Sequence, residues 1–191
     1  MYLVIKNSEK EGPGSIAEML ETEEIMASEV KEWKTYEGII IMGGPMGVYQ
    51  RQRFPFLQKE IEIIREAVRI RKRVLGICLG AQLISYALGG RVARGSFGPE
   101  IGFKKVVFTG GLSHIGVSDV FELHNDAFSL PRGSELLAYS DKYYQAFRMG
   151  KALGIQFHPE VTDEMLKLWG FRERADFRKL NKLILDYWLS L

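Results

Sequence analysis

This chain of 191 residues is poor in three residue types: it has one cysteine, six prolines and three histidines. A lone thiol cannot close an internal disulfide, which excludes a disulfide-stapled scaffold and leads us to expect a reducing, cytoplasmic setting. Neither C-x-x-C nor H-x-x-x-H spacing occurs, so no metal site is expected. No uninterrupted apolar run approaches the ~20 residues that a helical membrane span needs. The opening "MYLVIKNSEK" lacks a basic leader and a long apolar stretch, and no signal peptide is expected from it. A strong charge bias is missing too. Lys and Arg number 26 against 24 Asp and Glu, and the two signs are interspersed, which argues against a nucleic-acid partner. The densest basic stretch, "RIRKR" (69–73), ends a predicted helix, where cations favour the negative end of the helix dipole. G-x-x-x-x-G-K-[ST] is absent, G-x-G-x-x-G does not fit, and nothing indicates a bound cofactor.

What is present suits one well-buried core: hydrophobic content of 46% with 26% charged residues is ordinary for a globular domain. The first half alternates apolar strands with helical patterns. Strands are expected at 2–6, 25–30, 38–44 and 74–78, with helices at 14–22, at 54–72 and from Leu79 onward. Within 54–72, Phe56, Leu57, Glu60, Ile61, Ile64, Ala67, Val68 and Arg71 keep helical spacing, and the apolar members share one face. Such alternation implies parallel strands covered by helices on both faces. The second half reads as short strands at 91–93, 103–108, 119–123, 135–140, 144–149 and 152–158, an antiparallel patch. Helices are expected near 161–169 and 173–189, the latter with a core stripe of Phe177, Leu180, Leu183, Ile184, Tyr187 and Trp188. We expect residues 1–191 to form a single domain.

The lone thiol stands where the strand "VLGIC" meets the following helix. Gly76-Ile77-Cys78-Leu79-Gly80 has the form G-x-C-x-G, the thiol counterpart of a nucleophile elbow. The flanking glycines would let the turn close without a Cβ clash, and helix N–H groups aimed at sulfur lower a thiol pKa. Taken alone, Cys78 also fits a buried inert cysteine. A thiolate nucleophile needs a proton acceptor and donor, and His158 ends another strand, followed by Pro159 and Glu160. Glu160 sits near enough to orient the imidazole, although "HPE" alone also fits a turn into a helix. Cys78, His158 and Glu160 together favour catalysis. "GGPMG" (43–47) closes the strand at 38–44, where Gly43 and Gly44 could offer N–H groups to an oxyanion or simply form a turn. His114 reads as a surface residue. His124 could cap a turn with Asn125 and Asp126 or line the site, and the former is favoured.

Taken together and in this order, "GGPMG", "GICLGAQ" and "QFHPEVT" resemble the class I (triad-type) glutamine amidotransferases, most closely the GMP-synthase-like branch. The resemblance runs from about Gly38 to Thr162. It implies a flavodoxin-like α/β fold with a mostly parallel central sheet, helices on both faces and a small antiparallel patch. It also implies hydrolysis of the glutamine side-chain amide to glutamate and ammonia through a cysteine thioester. On this likeness Cys78 is the nucleophile, His158 the general base and acid, and Glu160 its orienter. The oxyanion donors are the N–H groups of Gly44 and Leu79, while Gly43 and Gln82 belong to the glutamine site. "GPEIGF" (98–103) and "YQAFRMG" (144–150) resemble segments of that branch without an assigned role, which leaves Glu100 and Gln145 open. "ELHNDAFSLP" keeps His124 and Asp126 but lacks the serine usual before the histidine. The region between "YLVIK" and "GGPMG" is shortened. No second catalytic domain is recognisable, so the implied partner is a separate ammonia-accepting synthase chain, such as a GMP-synthase-type ATP pyrophosphatase. Two other readings remain: a γ-glutamyl hydrolase or peptidase using the same triad, and a non-catalytic regulatory domain with a relict site.

Overall fold

A nine-stranded sheet runs through the computed structural model, which describes residues 1–191. Its strands are β1 (Tyr2–Lys6), β2 (Thr22–Met26), β3 (Gly38–Ile41), β4 (Arg73–Ile77), β6 (Glu100–Phe108), β7 (Val117–His124), β9 (Glu135–Tyr139), β10 (Tyr144–Met149) and β11 (Ala152–Ile155). The spatial order is β2-β1-β3-β4-β11-β10-β9-β6-β7. From β2 to β11 all neighbours are parallel, in the doubly wound flavodoxin order; from β11 to β7 all are antiparallel. β5 (Val92–Arg94) and β8 (Asp126–Phe128) form a separate antiparallel pair.

The strand sequences explain the layering. Side chains alternate across a strand, so a strand buried on both faces reads as a continuous apolar run. In β1, Leu3 and Ile5 pack on one face with Ile39 and Ile41, under helices α1 (Pro55–Arg69) and α2 (Leu79–Ala87). Tyr2 and Val4 pack on the other face with Ile40, Leu75 and Ile77, under α4 (Arg178–Ser190). Pro55 at the first turn of α1 costs no hydrogen bond there. The expected stripe on α4 is core: Trp188 is fully buried, its indole N–H donating to Val74 O at 3.2 Å and its ring 5.5 Å from that of Tyr2. A short α3 (Asp163–Leu168) is capped by Thr162, whose hydroxyl accepts from the Met165 N–H.

Several expected elements differ: the strand over 38–44 stops at Ile41, the helix over 173–189 begins at Arg178, and three others depart as well. The helix over 14–22 is only a 3-10 turn at Gly14–Ile16 followed by turns. Its apolar spacing is helical, but residue 22 already belongs to β2, which pairs along the whole of β1, so tertiary pairing overrides propensity. The strand over 25–30 lies earlier, at Thr22–Met26, because it pairs residue for residue with the whole of β1. The strand over 152–158 stops at Ile155, and Gln156 and His158 then bond to Gln145 O and Phe121 O, which carries the chain across the sheet end. The basic run 69–73 serves the fold: Lys72 donates to Lys34 O and Tyr36 O, and Arg73 to Leu189 O.

Candidate active site

The carboxyl ends of β1, β3, β4 and β11 open on one side of the sheet, where open α/β sheets bind their ligands. A cavity of about 450 Å³ lies there, lined among others by Glu11, Gly44, Cys78, Leu79, Gln82, His124 and His158.

Cys78 follows β4 and precedes α2 with φ 51° and ψ −106°, and only Arg71 among the other non-glycine residues has positive φ. Such a conformation costs of order 1–3 kcal/mol and persists only where the surroundings impose it. The flanking glycines supply the imposition by letting the chain pack closely. A Cβ on Gly80 would lie 2.1 Å from Ile41 O, and one on Gly76 would lie 2.4 Å from the Gly80 carbonyl carbon. The start of α2 is thus pressed onto β3 and β4, and the tight bend falls on residue 78. The sulfur is 6% exposed and has polar neighbours: Gln156 Nε2 donates to it at 3.6 Å, and Leu123 O lies 3.8 Å away.

His158 lines the same cavity and is 1% exposed. Its Nδ1 lies 2.9 Å from Glu160 Oε1, while its Nε2 has no hydrogen-bond partner. Burial opposes a charge on this ring, but the Glu160 carboxylate and the Cys78 sulfur next to it raise its pKa well above the ordinary histidine value. Trp169 packs edge-on against the imidazole, with ring centroids 5.0 Å apart, and donates its indole N–H to Lys10 O. An imidazole held on one nitrogen and free on the other, beside a thiol, can exchange a proton with that thiol and with a departing group.

Gly44 and Leu79 are neighbours at the mouth: a Cβ on Gly44 would approach Leu79 Cδ2 to 3.0 Å. Gly43 is buried next to them, and a Cβ there would lie 3.4 Å from His158 Cε1. Gln82 is 3% exposed, and its Nε2 donates to Asp126 O at 3.3 Å and to Gln156 Oε1 at 3.2 Å. All seven residues singled out in the sequence therefore surround one end of the sheet. His114 is exposed.

Other residues at this end escaped sequence reasoning. Gln156, fully buried, links Gln82 to the sulfur. Its position two residues before His158 was the one available signal. Glu11, on the loop after β1, also lines the cavity. His124 both closes a turn and lines the cavity: its Nδ1 lies 2.8 Å from Asp126 O. Its Nε2 lies 3.2 Å from Glu100 Oε2 and 3.1 Å from Glu122 Oε2, and Gln145 Nε2 donates to Glu100 Oε2 at 2.7 Å. Burial disfavours a charge on His124, but the two glutamates outweigh it and raise its pKa to about 10. The charged form of His124 is therefore favoured; against burial, its hydrogen bond lowers the pKa of Glu100, whereas burial raises that of Glu122. Glu100, Glu122 and His124 place donor atoms within 4.8 Å of one another, which is also a set able to hold a divalent cation. They come from β6 and β7, paired at Glu100 and His124, a cross-strand register that sequence spacing does not display.

Residues 14–167 match the family model for class-I glutamine amidotransferase. The chain is 35% identical to one subunit of the glutamine-hydrolysing GMP synthase of Saccharolobus solfataricus, over 69% of this chain and 71% of that one. It is 33% identical to γ-glutamyl peptidase 4 of Arabidopsis thaliana over 72% of this chain, and spans only 59% of that protein's length. The crystal structure of a glutamine amidotransferase from Thermotoga maritima superposes with a TM-score of 0.83 at 32% identity, covering 88% of this chain and 79% of that one. No helix is long and apolar enough to cross a membrane.

Proposed function

The chain belongs to the class-I glutamine amidotransferase family, and from that premise we propose that it hydrolyses the side-chain amide of glutamine through a thioester on Cys78 and passes the ammonia to a separate synthase chain. Residues 1–191 act as one amidotransferase domain, and a free catalytic thiol suits a cytoplasmic setting. The observation that carries the reading is the free Nε2 of His158, in one cavity with Cys78 while Glu160 holds the opposite nitrogen. The likeness to part of a GMP synthase supports the synthase partner, of which a GMP-synthase-type ATP pyrophosphatase is one form.

In this mechanism His158 takes the thiol proton and Cys78 Sγ attacks the amide carbon. The backbone N–H groups of Gly44 and Leu79 hold the oxyanion, and each such donor is worth roughly 3–4 kcal/mol of barrier. His158 then gives its proton to the nitrogen as the C–N bond breaks, and ammonia leaves. A water, deprotonated by His158, cleaves the thioester to release glutamate and restore the thiol. Gly43 and Gln82 contact the bound glutamine, and Glu160 keeps the imidazole in one tautomer.

Hydrolysis of γ-glutamyl conjugates is a second reading, favoured by a cavity roomier than one free amino acid needs and by the likeness to a γ-glutamyl peptidase. It uses the same three residues. The test is to treat the chain with a glutamine-analogue electrophile, then to assay ammonia release from glutamine, with and without proteins that co-purify from the host. Stoichiometric labelling at Cys78 with ammonia release is expected. No labelling at Cys78 rejects both readings.

A further inference from the structure

Glu11 has no part in the mechanism above. It lies on the loop between β1 and the 3-10 turn at Gly14–Ile16, and its carboxylate reaches into the catalytic cavity. Position 43 has to be glycine for this to happen: a Cβ there would lie 1.9 Å from Glu11 Oε2 and 3.4 Å from His158 Cε1. The carboxylate is therefore packed on the Gly43 backbone, beside the imidazole. Its pKa is raised above the ordinary glutamate value, by burial first and also by the Glu160 carboxylate, with the His158 charge opposing. A half-buried acid that neither pairs nor bonds within its own protein is costly unless something else meets it.

Glu11 belongs to the part of the cavity around the imidazole. Its electrostatic neighbours are His158 and Glu160, whereas Tyr49, on the same cavity wall, interacts with Asp126 and Arg94. Cys78 is an electrostatic neighbour of both His158 and His124. On the proposed mechanism the departing nitrogen must lie within reach of both the sulfur and the imidazole. A substituent on the departing nitrogen that runs past the imidazole therefore meets the Glu11 carboxylate.

We propose that Glu11 is a specificity-determining residue for the leaving group: its carboxylate admits γ-glutamyl amides whose leaving amine is uncharged or bears a further positive charge, and rejects those whose leaving amine carries a carboxylate. Glutamine, whose leaving group is ammonia, passes this filter. γ-Glutamyl dipeptides and longer γ-glutamyl peptides, with an anionic carboxylate near the departing nitrogen, do not. The inference rests on the proposed thioester chemistry at Cys78 and refines its substrate class, separating amidotransferase from peptidase by one residue.

The test uses the full 191-residue chain and amides of one length: the γ-glutamyl amides of butylamine, 1,4-diaminobutane and 4-aminobutyrate, together with glutamine. Acylation of Cys78 is followed in single turnover by mass spectrometry, which needs no partner chain. The wild type should acylate fastest with the cationic amide and slowest with the anionic one, each step being about five- to ten-fold, with the spread shrinking as salt is raised. Glu11→Gln should collapse the spread with little effect on the neutral butylamide, and Glu11→Asp should keep the order. Thermal melting of each variant verifies that it is folded. Acylation with a flat order, or an order unchanged in Glu11→Gln, overturns the inference while leaving the thioester chemistry standing. So does a change in Glu11→Gln confined to the pH profile, equal for all four substrates, which would make Glu11 a neighbour of His158 only. If no substrate acylates Cys78, the proposed function falls and the filter with it.

Discussion

One sheet holds two unlike halves. From β2 to β11 the strands are parallel, and β1, β3, β4 and β11 are apolar on both faces and roofed by α1, α2 and α4, with the polar β2 at the edge. From β10 to β7 they are antiparallel, and around Glu100, Glu122, His124 and Gln145 they enclose charge. The first half presents Cys78, Gly43 and His158 at strand ends, with the chain forced into position by close packing. The second presses a buried ionic cluster against the wall of the same cavity. On the proposed mechanism the difference is one of labour: the reacting groups come from strand ends, and the neighbouring half supplies a fixed electrostatic surround.

Four substitutions would break or sharpen that contrast. Cys78→Ala should reduce glutamine hydrolysis by at least about 10⁴-fold and leave stability within about 1 kcal/mol in a denaturant titration. Surviving turnover would remove the parallel half from the chemistry. His124→Leu should behave in the opposite way, costing about 3 kcal/mol of stability because two buried carboxylates lose their shared cation. Its pH signature has a definite sign. A pKa raised to about 10 means the imidazolium's contribution is complete below the ordinary histidine value and is lost as pH climbs through about 10. The wild type should therefore lose more stability than His124→Leu as pH rises from about 6.5, the ordinary histidine value, to about 10, above which the two profiles run parallel.

Glu60 provides the third test. It lies on α1 at a core-spaced position, 1% exposed, with neither carboxyl oxygen hydrogen-bonded, and burial pushes its pKa to about 8, opposed in part by the neighbouring Asn7 amide. The folded protein keeps this proton while the unfolded chain releases it, so stability declines as pH rises from the ordinary glutamate value toward 8. Glu60→Gln should remove that decline, stabilising the protein by about 4 kcal/mol at pH 8 and by almost nothing at pH 4. Melting curves across this range check it, and parallel pH profiles for the two proteins would refute it. The smallest effect is expected outside both halves of the sheet, at the exposed Lys182–Asp186 pair on α4. Lys182→Ala should cost no more than about 0.5 kcal/mol.

What the sequence displayed follows the same divide. Continuous apolar runs made β1, β3 and β4 readable, because a strand buried on both faces leaves no other pattern. Cys78, His158 and Glu160 could be grouped because a glycine-flanked thiol and a strand-ending histidine are local features. The ionic cluster was not readable, since Glu100 meets His124 only through the β6–β7 register. Glu11 was not readable for a related reason. Its place depends on an absent side chain at Gly43, and nothing in "SEKEGPG" shows that the loop folds back over the imidazole. The missing helix at 14–22 marks the limit of periodicity: Ile16, Met19 and Leu20 have the spacing, but the chain must already pair with β1 at Thr22.

The bend at position 78 sets selection for fold against selection for chemistry. With φ at 51° and ψ at −106°, glycine would sit there more comfortably than any residue bearing a Cβ. A library of variants screened only for heat resistance should enrich glycine at this site by about 1 kcal/mol of advantage. The same library screened for amide cleavage should return cysteine alone.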